Sequence, residues 1–324
     1  MKPIRVAVIG VGSMGSIHAS AYQKLPDAEL VGVTDIDSSL ARKVADDLGV
    51  RAYHNTRELV SDARLEAISI CTNDEAHVDP TVAALRAGKH VLLEKPIATT
   101  LEDADTILEA VAESSKVFLV GHILRFEPRY REAKRAIDAG SIGQVISVFA
   151  RRLNALSSQN ILKGRVSVLS FLGVHDFDLC HWIAQAPPAR VYCEQRRGLQ
   201  TGLGYDTEDQ TYTLIRFAND VIACVEAGWV LPDTHPRKGD FRMEVIGTQG
   251  VVNVDLMSQG VSIADEQGYR FLTFGHGVEY ELAHYLRSVR AEEVPGITGQ
   301  EARVALELSL AAQQAARTGQ VVTL

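Results

Sequence analysis

The stretch IRVAVIGVGSMG, residues 4–15, joins a short β-branched run to three glycines. The run IRVAVI is typical of a strand buried on both faces, and a helical stretch follows it, from about residue 13 to residue 25. Gly10, Gly12 and Gly15 match the pattern GxGxxG at this strand-to-helix turn. In this context, Gly10 permits a tight turn, Gly12 lets the backbone approach a pyrophosphate, and Gly15 lets helix and strand pack closely. The phosphates would lie at the helix N-terminus, where unpaired N–H groups and the helix dipole favour negative charge.

The second apolar run, AELVGVTD at residues 28–35, ends in a carboxylate, Asp35. An acid at this place accepts hydrogen bonds from ribose hydroxyls and repels the extra phosphate of NADP. No Arg follows it directly in the sequence TDIDSSLARK. The sequence therefore predicts a dinucleotide site that prefers NAD to NADP and that includes Ser13 and Met14 of the glycine turn.

Apolar runs and helical stretches continue to alternate up to about residue 122. A helix is predicted from Ser38, a plausible N-cap, to about Leu48. The runs LEAISICT and KHVLLEK are separated by a helical segment that has Gly88 as its C-terminal stop, and a further helix precedes the run KVFLVGH. Strands that alternate with helices of this length predict an α/β fold, with a doubly wound parallel sheet forming a Rossmann domain over residues 1–122.

After residue 122 the pattern changes. One amphipathic helix, from Pro128 to Gly140, is followed by extended runs with short connections, such as TYTLIRF and VIACVEAGWV joined by AND. Short connections predict hairpins, so residues 123–324 are expected to form an α+β domain with a large, mostly antiparallel open sheet. Both faces of this sheet would carry apolar groups, for which helices and a second subunit are the expected partners. A homo-oligomer, dimer or tetramer, is therefore a hypothesis that sedimentation tests, because a monomer at micromolar concentration would remove it.

The composition narrows the class of protein. The 324 residues are 46% hydrophobic and 23% charged, as in globular proteins. The net charge of -8 argues against a nucleic-acid partner, since phosphate contacts need clustered Lys and Arg. The four cysteines show no CxxC spacing, and the ten histidines show neither HxH nor HExxH. No apolar run has the length of a membrane span, so we expect a cytoplasmic protein without a catalytic metal or a membrane partner.

The stretch LLEKPIA, residues 92–98, places an ion pair at the end of an apolar run. Pro96 keeps the chain from continuing in regular form. Ligands of a parallel sheet bind beyond the carboxyl ends of its strands, so Glu94 and Lys95 are expected at the site. Handling of a proton is the preferred role for Lys95, and a salt bridge that pins the loop stays open for Glu94.

Further candidates follow the fourth strand and the domain junction. The segment CTNDEAH predicts cofactor contacts from Cys71, Thr72, Asn73 and His77. The alternative is a helix cap at Asn73 or its neighbour, with a histidine on a helix face. His122 lies at the crossover between the domains, and the nearby Arg125 is alternatively a structural ion-pair partner.

The second half contributes a helix and a polar loop. The segment SFLGVHDFDLCHWIAQ predicts a helix with His175, Asp178 and Trp182 on one face. The polar, basic loop before it contains Arg152 and Asn154, which are candidates for contact with a hydroxylated or anionic substrate. A solvated loop is the alternative for both.

These motifs together resemble the Gfo/Idh/MocA family of NAD(P)-dependent oxidoreductases. The resemblance covers essentially the whole chain and includes the glycine turn, EKP, GHILRFEP, GVHDFD and ELAHYLRSVR. It implies the oxidation of a secondary alcohol of a sugar, inositol or related polyol, or the reverse reduction. It also implies that Lys95 is the catalytic lysine, that His175 lies close to the substrate oxygen, and that Glu94 and Pro96 shape the turn beside the nicotinamide.

The sequence departs from the family's pattern at one position. Many dehydrogenases of the family have an aspartate four residues before the histidine, where this chain has Phe171. Either His175 works with Lys95 alone, or Asp176, Asp178 or Asn154 takes over, or the site has changed its reaction or lost it. Stacking of Phe171 on a sugar ring, with altered specificity, is a further option. The expected substrate-binding residues are Lys95, His122, Arg152, Asn154, Phe171, His175 and Asp178.

The leading expectation is thus an NAD-dependent sugar or polyol dehydrogenase. The same fold also runs NAD-dependent glycoside cleavage, although no glycine-histidine signature replaces EKP here. The other alternative is a non-catalytic regulator that senses NAD or a sugar.

Overall fold

The structure is a computed structural model that describes residues 2–255, 260–265, 268–273 and 277–324. The chain forms two compact units, one made of Met1–Glu127 and His276–Arg303, the other of Pro128–Gly275 and Val304–Leu324. This division differs from the expected single boundary at residue 122, because a C-terminal segment returns to the first unit. The buried residues Leu282, Tyr285 and Leu286 explain the return, since they give the helix of that segment an apolar face to bury.

The strands of the described residues are β1 Ile4–Ile9, β2 Ala28–Thr34, β3 Arg51–Ala52, β4 Ala67–Ile70, β5 His90–Glu94, β6 Phe118–Gly121, β7 Val145–Ala155, β8 Pro188–Arg196, β9 Gln210–Phe217, β10 Ile222–Leu231, β11 Gly239–Gly247, β12 Val251–Asp255, β13 Gly260–Asp265, β14 Gly268–Thr273 and β15 Val322–Thr323. The helices are α1 Ser13–Lys24, α2 Ser38–Leu48, α3 Thr56–Ser61, α4 Val78–Arg86, α5 Leu101–Glu113, α6 Pro128–Asp138, α7 Gln159–Leu162, α8 Val174–Ala184, α9 Leu199–Gly202, α10 Val278–Val289 and α11 Gly299–Thr318.

The first unit is a doubly wound parallel sheet, as the sequence predicts. Its strands lie in the order β3-β2-β1-β4-β5-β6, and every neighbouring pair is parallel. The central strands are buried on both faces, as Val6, Ala7 and Val8 illustrate with no exposed surface. In this topology, ligands bind beyond the carboxyl ends of the strands where the order reverses, which is between β1 and β4.

The helix ends of the first unit follow from local chemistry, with one correction. The N-cap of α2 is Asp37, not the expected Ser38, because the Asp37 carboxylate accepts the N–H groups of Ser39 at 2.9 Å and Leu40 at 3.2 Å. The Ser39 hydroxyl, which donates to the same carboxylate, lowers the pKa of Asp37, and the two backbone bonds lower it further. After the C-terminal end of α4, Gly88 has a φ of +73°, as expected for a residue that stops a helix.

The second unit contains a large sheet that is antiparallel at all but one junction. Among the described residues its strands follow the order β14-β13-β12-β11-β7-β10-β9-β8-β15, with β7 and β10 as the parallel pair. Residues on β9 alternate as the pattern predicts. Thr211, Thr213, Ile215 and Phe217 are buried, whereas Tyr212 and Leu214 are nearly half exposed on the other face. Helices α6 and α8 pack on the sheet.

A π-helical turn, Leu169–Gly173, leads into α8. The sequence predicted a plain helix here, and the extra residue of a π turn leaves no mark in the hydrophobic spacing.

In the part of the chain that is described, no helix combines the length and the apolar character that crossing a bilayer requires.

Candidate cofactor and catalytic site

The glycine turn after β1 has the geometry that the three glycines predict. Gly10 has a φ of +81°, and a Cβ atom there would lie 2.7 Å from the Cys71 carbonyl oxygen. A Cβ at Gly15 would lie 1.8 Å from the carbonyl oxygen of Gly10, so only glycine lets α1 start this close to the strand. At Gly12 a Cβ would meet nothing within 4 Å. The first and third glycines are thus required by the fold, while the second lines open space.

The N-terminus of α1 is available to an anion. Its N-cap residue, Gly12, provides no side-chain hydrogen bond, and the first turn contains no acidic residue. Gly12 and Ser13 are exposed, and Met14 is half-buried. The first N–H groups of a helix lack intrahelical partners and lie at the positive end of its dipole. The turn therefore fits a pyrophosphate.

Asp35 fixes the same turn from the end of β2. One carboxylate oxygen accepts the N–H of Val11 at 2.7 Å, and the other accepts the N–H of Asp37 at 2.9 Å. Each carboxylate oxygen has a second lone pair, so both can still accept a hydrogen bond from a hydroxyl group. Asp35 can thus hold the glycine turn and a ribose at the same time.

The turn after β5 is anchored by a buried carboxylate. Glu94 is 7% exposed, and its Oε2 accepts the backbone N–H of Lys95 at 3.2 Å. His18 Nε2 lies 3.2 Å from Oε1 of the same carboxylate. Burial by itself would raise the pKa of Glu94, but His18 and Lys95 more than offset it, and the pKa is lowered. Glu94 is therefore an anion that pins the loop carrying the half-buried Lys95.

His77 holds the next residue of this turn. Its Nδ1 lies 2.8 Å from the carbonyl oxygen of Pro96, and its Nε2 lies 3.3 Å from that of Thr72. Burial lowers the pKa of His77, which keeps the ring neutral, and a neutral ring donates from one nitrogen. The shorter contact marks Nδ1–H as the donor. His77 is thus buried against the turn, and its contact with the cofactor stays a prediction.

The remaining candidates after β4 are Asn73, Thr72 and Cys71. Asn73 is exposed and makes no side-chain cap bond to the short 3₁₀ turn Asp74–Ala76, and the Thr72 hydroxyl donates to the carbonyl oxygen of Ala76 at 3.1 Å. Cys71 Sγ lies 3.5 Å from His18 Nδ1, and burial raises the pKa of its thiol. Because Ile9 and Ile70 pair in the sheet, Gly10 and Cys71 leave it side by side. Their contact with the cofactor stays a prediction.

Two candidates, His122 and Arg125, follow the end of β6. His122 is buried directly after the strand. Arg125 donates from Nη1 to Glu301 Oε1 at 2.7 Å, and its side chain is 1% exposed. The structural ion pair that was the alternative for Arg125 is therefore present.

In the second unit, the predicted substrate residues lie on β7, the π turn and α8. Arg152 forms a buried two-bond pair with Asp176, with distances of 2.7 Å and 3.0 Å. This pair accounts for the burial of both groups, and a substrate contact of Arg152 stays a prediction. Asn154 is half-buried near the end of β7.

Phe171 packs on an apolar cluster. Its ring centroid lies 6.3 Å from that of Trp229 in a tilted arrangement, at a cluster that includes Val166, Val168 and Leu172. His175 follows in the first turn of α8 and is half-buried, and Asp178 is buried one turn later.

Two models of known protein families match the chain. An oxidoreductase family with an NAD-binding Rossmann fold matches residues 4–122, and the GFO/IDH/MocA C-terminal domain matches residues 130–253. The chain belongs to the GFO/IDH/MocA family of oxidoreductases. The resemblance of the sequence motifs is thereby confirmed, as are the enzyme class and the NAD-binding fold.

Several members of the family are similar over nearly their whole length. The chain is 31% identical to a scyllo-inositol 2-dehydrogenase (NAD(+)) of Bacillus subtilis over 99% of its own length and 96% of that protein. It is 26% identical to a myo-inositol 2-dehydrogenase of Thermotoga maritima, with 96% of each chain covered. Among solved structures, GenD2 from gentamicin A biosynthesis, in complex with NAD, is 25% identical with a TM-score of 0.86, over 100% of this chain and 97% of that one.

The open space at Gly12 leads to a testable prediction. In Gly12→Ala, the added methyl group meets no atom of the chain but occupies the space of the pyrophosphate, so NAD binding weakens about tenfold or more, about 1.4 kcal/mol, while the melting temperature stays unchanged. Calorimetric titration with NAD and thermal unfolding measure the two quantities. Gly202→Ala, which also adds a methyl into open space, is the matched control. Equal NAD affinity of both variants would contradict the assignment of Gly12.

Proposed function

We propose that this protein is an NAD-dependent dehydrogenase that transfers a hydride between a secondary alcohol of an inositol, or a related polyol or sugar, and the nicotinamide. The observation that carries the proposal is the pairing of an open glycine turn after β1 with a buried carboxylate that fixes the Lys95 turn after β5. The relatives named as inositol 2-dehydrogenases support the substrate class.

The chain's own residues hold NAD and handle the proton. The residues proposed to hold it are Gly10, Gly12, Ser13, Met14, Gly15, Asp35, Cys71, Thr72, Asn73, His77, Glu94 and Lys95. When bound, NAD supplies the acceptor for the hydride. The ammonium of Lys95 stabilises the alkoxide that develops on the substrate oxygen, and the imidazole of His175 accepts the hydroxyl proton.

We propose that Asp178 or Asn154 assists His175. The engagement of Asp176 with Arg152 supports these two residues over Asp176. The ring of Phe171 packs beside the ring of Trp229, which supports it on one side. We propose that Phe171 contacts an apolar face of the substrate and changes specificity while the reaction stays the same.

The substrate class is tested by a screen of inositols, other polyols and sugars with NAD, read at the absorbance band of the reduced nicotinamide. We expect reduced cofactor with at least one cyclic polyol. If NAD binds but no compound yields reduced cofactor, the dehydrogenase proposal fails. Glycoside cleavage under the same conditions would then favour the NAD-dependent glycosidase, and the absence of any turnover would favour the sensor.

The roles of Lys95 and His175 are tested by Lys95→Met and His175→Asn. Loss of charge stabilisation or of the proton acceptor is expected to lower kcat about a hundredfold to ten-thousandfold. NAD affinity should fall far less than kcat, because the glycine turn and Asp35 stay intact in both variants, although Lys95 is one of the residues proposed to hold NAD. Lys43→Met, at an exposed position on α2, is the control for the loss of a lysine. Wild-type turnover by Lys95→Met would show that the assigned role is wrong.

Asp35 is proposed to set the preference for NAD over NADP. Asp35→Asn keeps an oxygen that can accept the Val11 N–H but removes the negative charge that repels the 2′-phosphate. The ratio of kcat/KM with NAD to that with NADP should fall about tenfold. Asp47→Asn, an exposed acid in α2, serves as the control. An unchanged ratio would refute the assignment.

The homo-oligomer stays a proposal. Tyr212, Leu214 and Ile222 leave apolar surface exposed on one face of the large sheet, which fits a second subunit. Cytoplasmic location is likewise an expectation from the sequence.

A further inference from the structure

Three ionisable side chains lie close together around the buried carboxylate that precedes Lys95, and two of them have no role in the proposed reaction. They are His18 of α1, Glu94 at the end of β5, and Glu281 in the first turn of α10, all in the first unit. One ligand atom from each lies within 4.8 Å of the others, and His18 and Glu281 have no exposed surface. Sequence reasoning missed this cluster, because its members are far apart in the chain.

Glu281 stands out within the cluster. Among the described residues, neither of its carboxyl oxygens has a hydrogen-bond donor, although both are buried. His18 Nε2 is at ion-pair distance from Glu94 but off the line of a hydrogen bond. A buried carboxylate without donors is costly, whereas a protonated carboxyl brings its own donor to a neighbouring acceptor.

The charges around the cluster favour a proton on Glu281. Burial, and after it the negative charge of Glu94, raise the pKa of Glu281 well above its ordinary value. Within the described residues, the other groups that interact electrostatically with these carboxyls are Tyr22, Cys71, His77 and Lys95. Burial raises the pKa values of Tyr22 and Cys71, so these two groups are neutral and offer Glu281 no compensating charge. Two carboxylates this close in a dry site do not both ionise.

We infer that Glu281 is a neutral, proton-bearing positioning residue whose O–H donates to the buried anion at Glu94 and, with His18, holds that anion in the orientation that fixes the Lys95 turn. Glu94 reaches Lys95 through the backbone N–H, so a change in its orientation displaces the ammonium. Loss of the Glu281 donor would therefore act on turnover and leave the glycine turn intact. The inference rests on the proposed role of Lys95.

The test compares two replacements of similar shape. Glu281→Gln keeps a neutral donor and should retain kcat within about twofold, whereas Glu281→Met fills the space without a donor and should lower kcat about tenfold. KM for NAD should change far less than kcat in both variants, because the glycine turn stays intact, whereas a general loss of structure would change both parameters. Glu279→Gln, exposed on the same helix, is the control. An equal loss in Glu281→Gln and Glu281→Met would overturn the inference.

A second measurement does not depend on activity. Infrared difference spectra of wild type against Glu281→Gln at neutral pH should show the carbonyl band of a protonated carboxylic acid in the wild type alone. A carboxylate band in its place, or one divalent metal ion per chain by elemental analysis of the purified protein, would overturn the inference. If the wild type oxidises no polyol, the proposed function fails, and the infrared band still decides the protonation of Glu281.

Discussion

The turn that presents Lys95 is anchored by the buried carboxylate of Glu94, which accepts the backbone N–H of Lys95 at 3.2 Å. A buried anion is tolerated only where partners surround it, and the first unit supplies them from elements distant in the sequence. His18 comes from α1, and Glu281 comes from α10 in the segment that returns to this unit. The return of residues 276–303 is thus tied to the chemistry of the turn as well as to the apolar face of α10.

The cofactor half and the substrate half of the chain are specified by different means. The fit to a pyrophosphate comes from backbone geometry, since Gly10 and Gly15 are dictated by contacts below 3 Å and Gly12 by open space. The proposed substrate residues depend on side-chain packing, such as that of the Phe171 ring against Trp229. Backbone constraints allow few alternatives, whereas a side-chain pocket can be changed one residue at a time. This difference explains why a family with one cofactor fold serves many alcohols.

Much of the first unit could be predicted from the sequence, because its signals are local. The glycine turn, Asp35 and the Lys95 turn are each read within about ten residues of chain. The predicted N-cap of α2 was wrong by one residue. Asp37 and Ser38 are both good N-cap residues, and only the hydrogen bonds from Ser39 and Leu40 show that Asp37 is the cap. The Arg152–Asp176 pair and the cluster around Glu94 could not be predicted from the sequence, because no residue spacing indicates contacts between distant segments. The same holds for the π turn before His175.

The most direct measurement of the central claim uses a substrate inositol that carries deuterium on the carbon of the reacting hydroxyl. Hydride transfer to the nicotinamide, with only the hydroxyl proton passing to His175, predicts one deuterium on the nicotinamide ring for each ketone formed. Mass spectrometry of the reduced cofactor and of the product gives both numbers. Ketone without label in the cofactor, or label lost to water, would contradict the account.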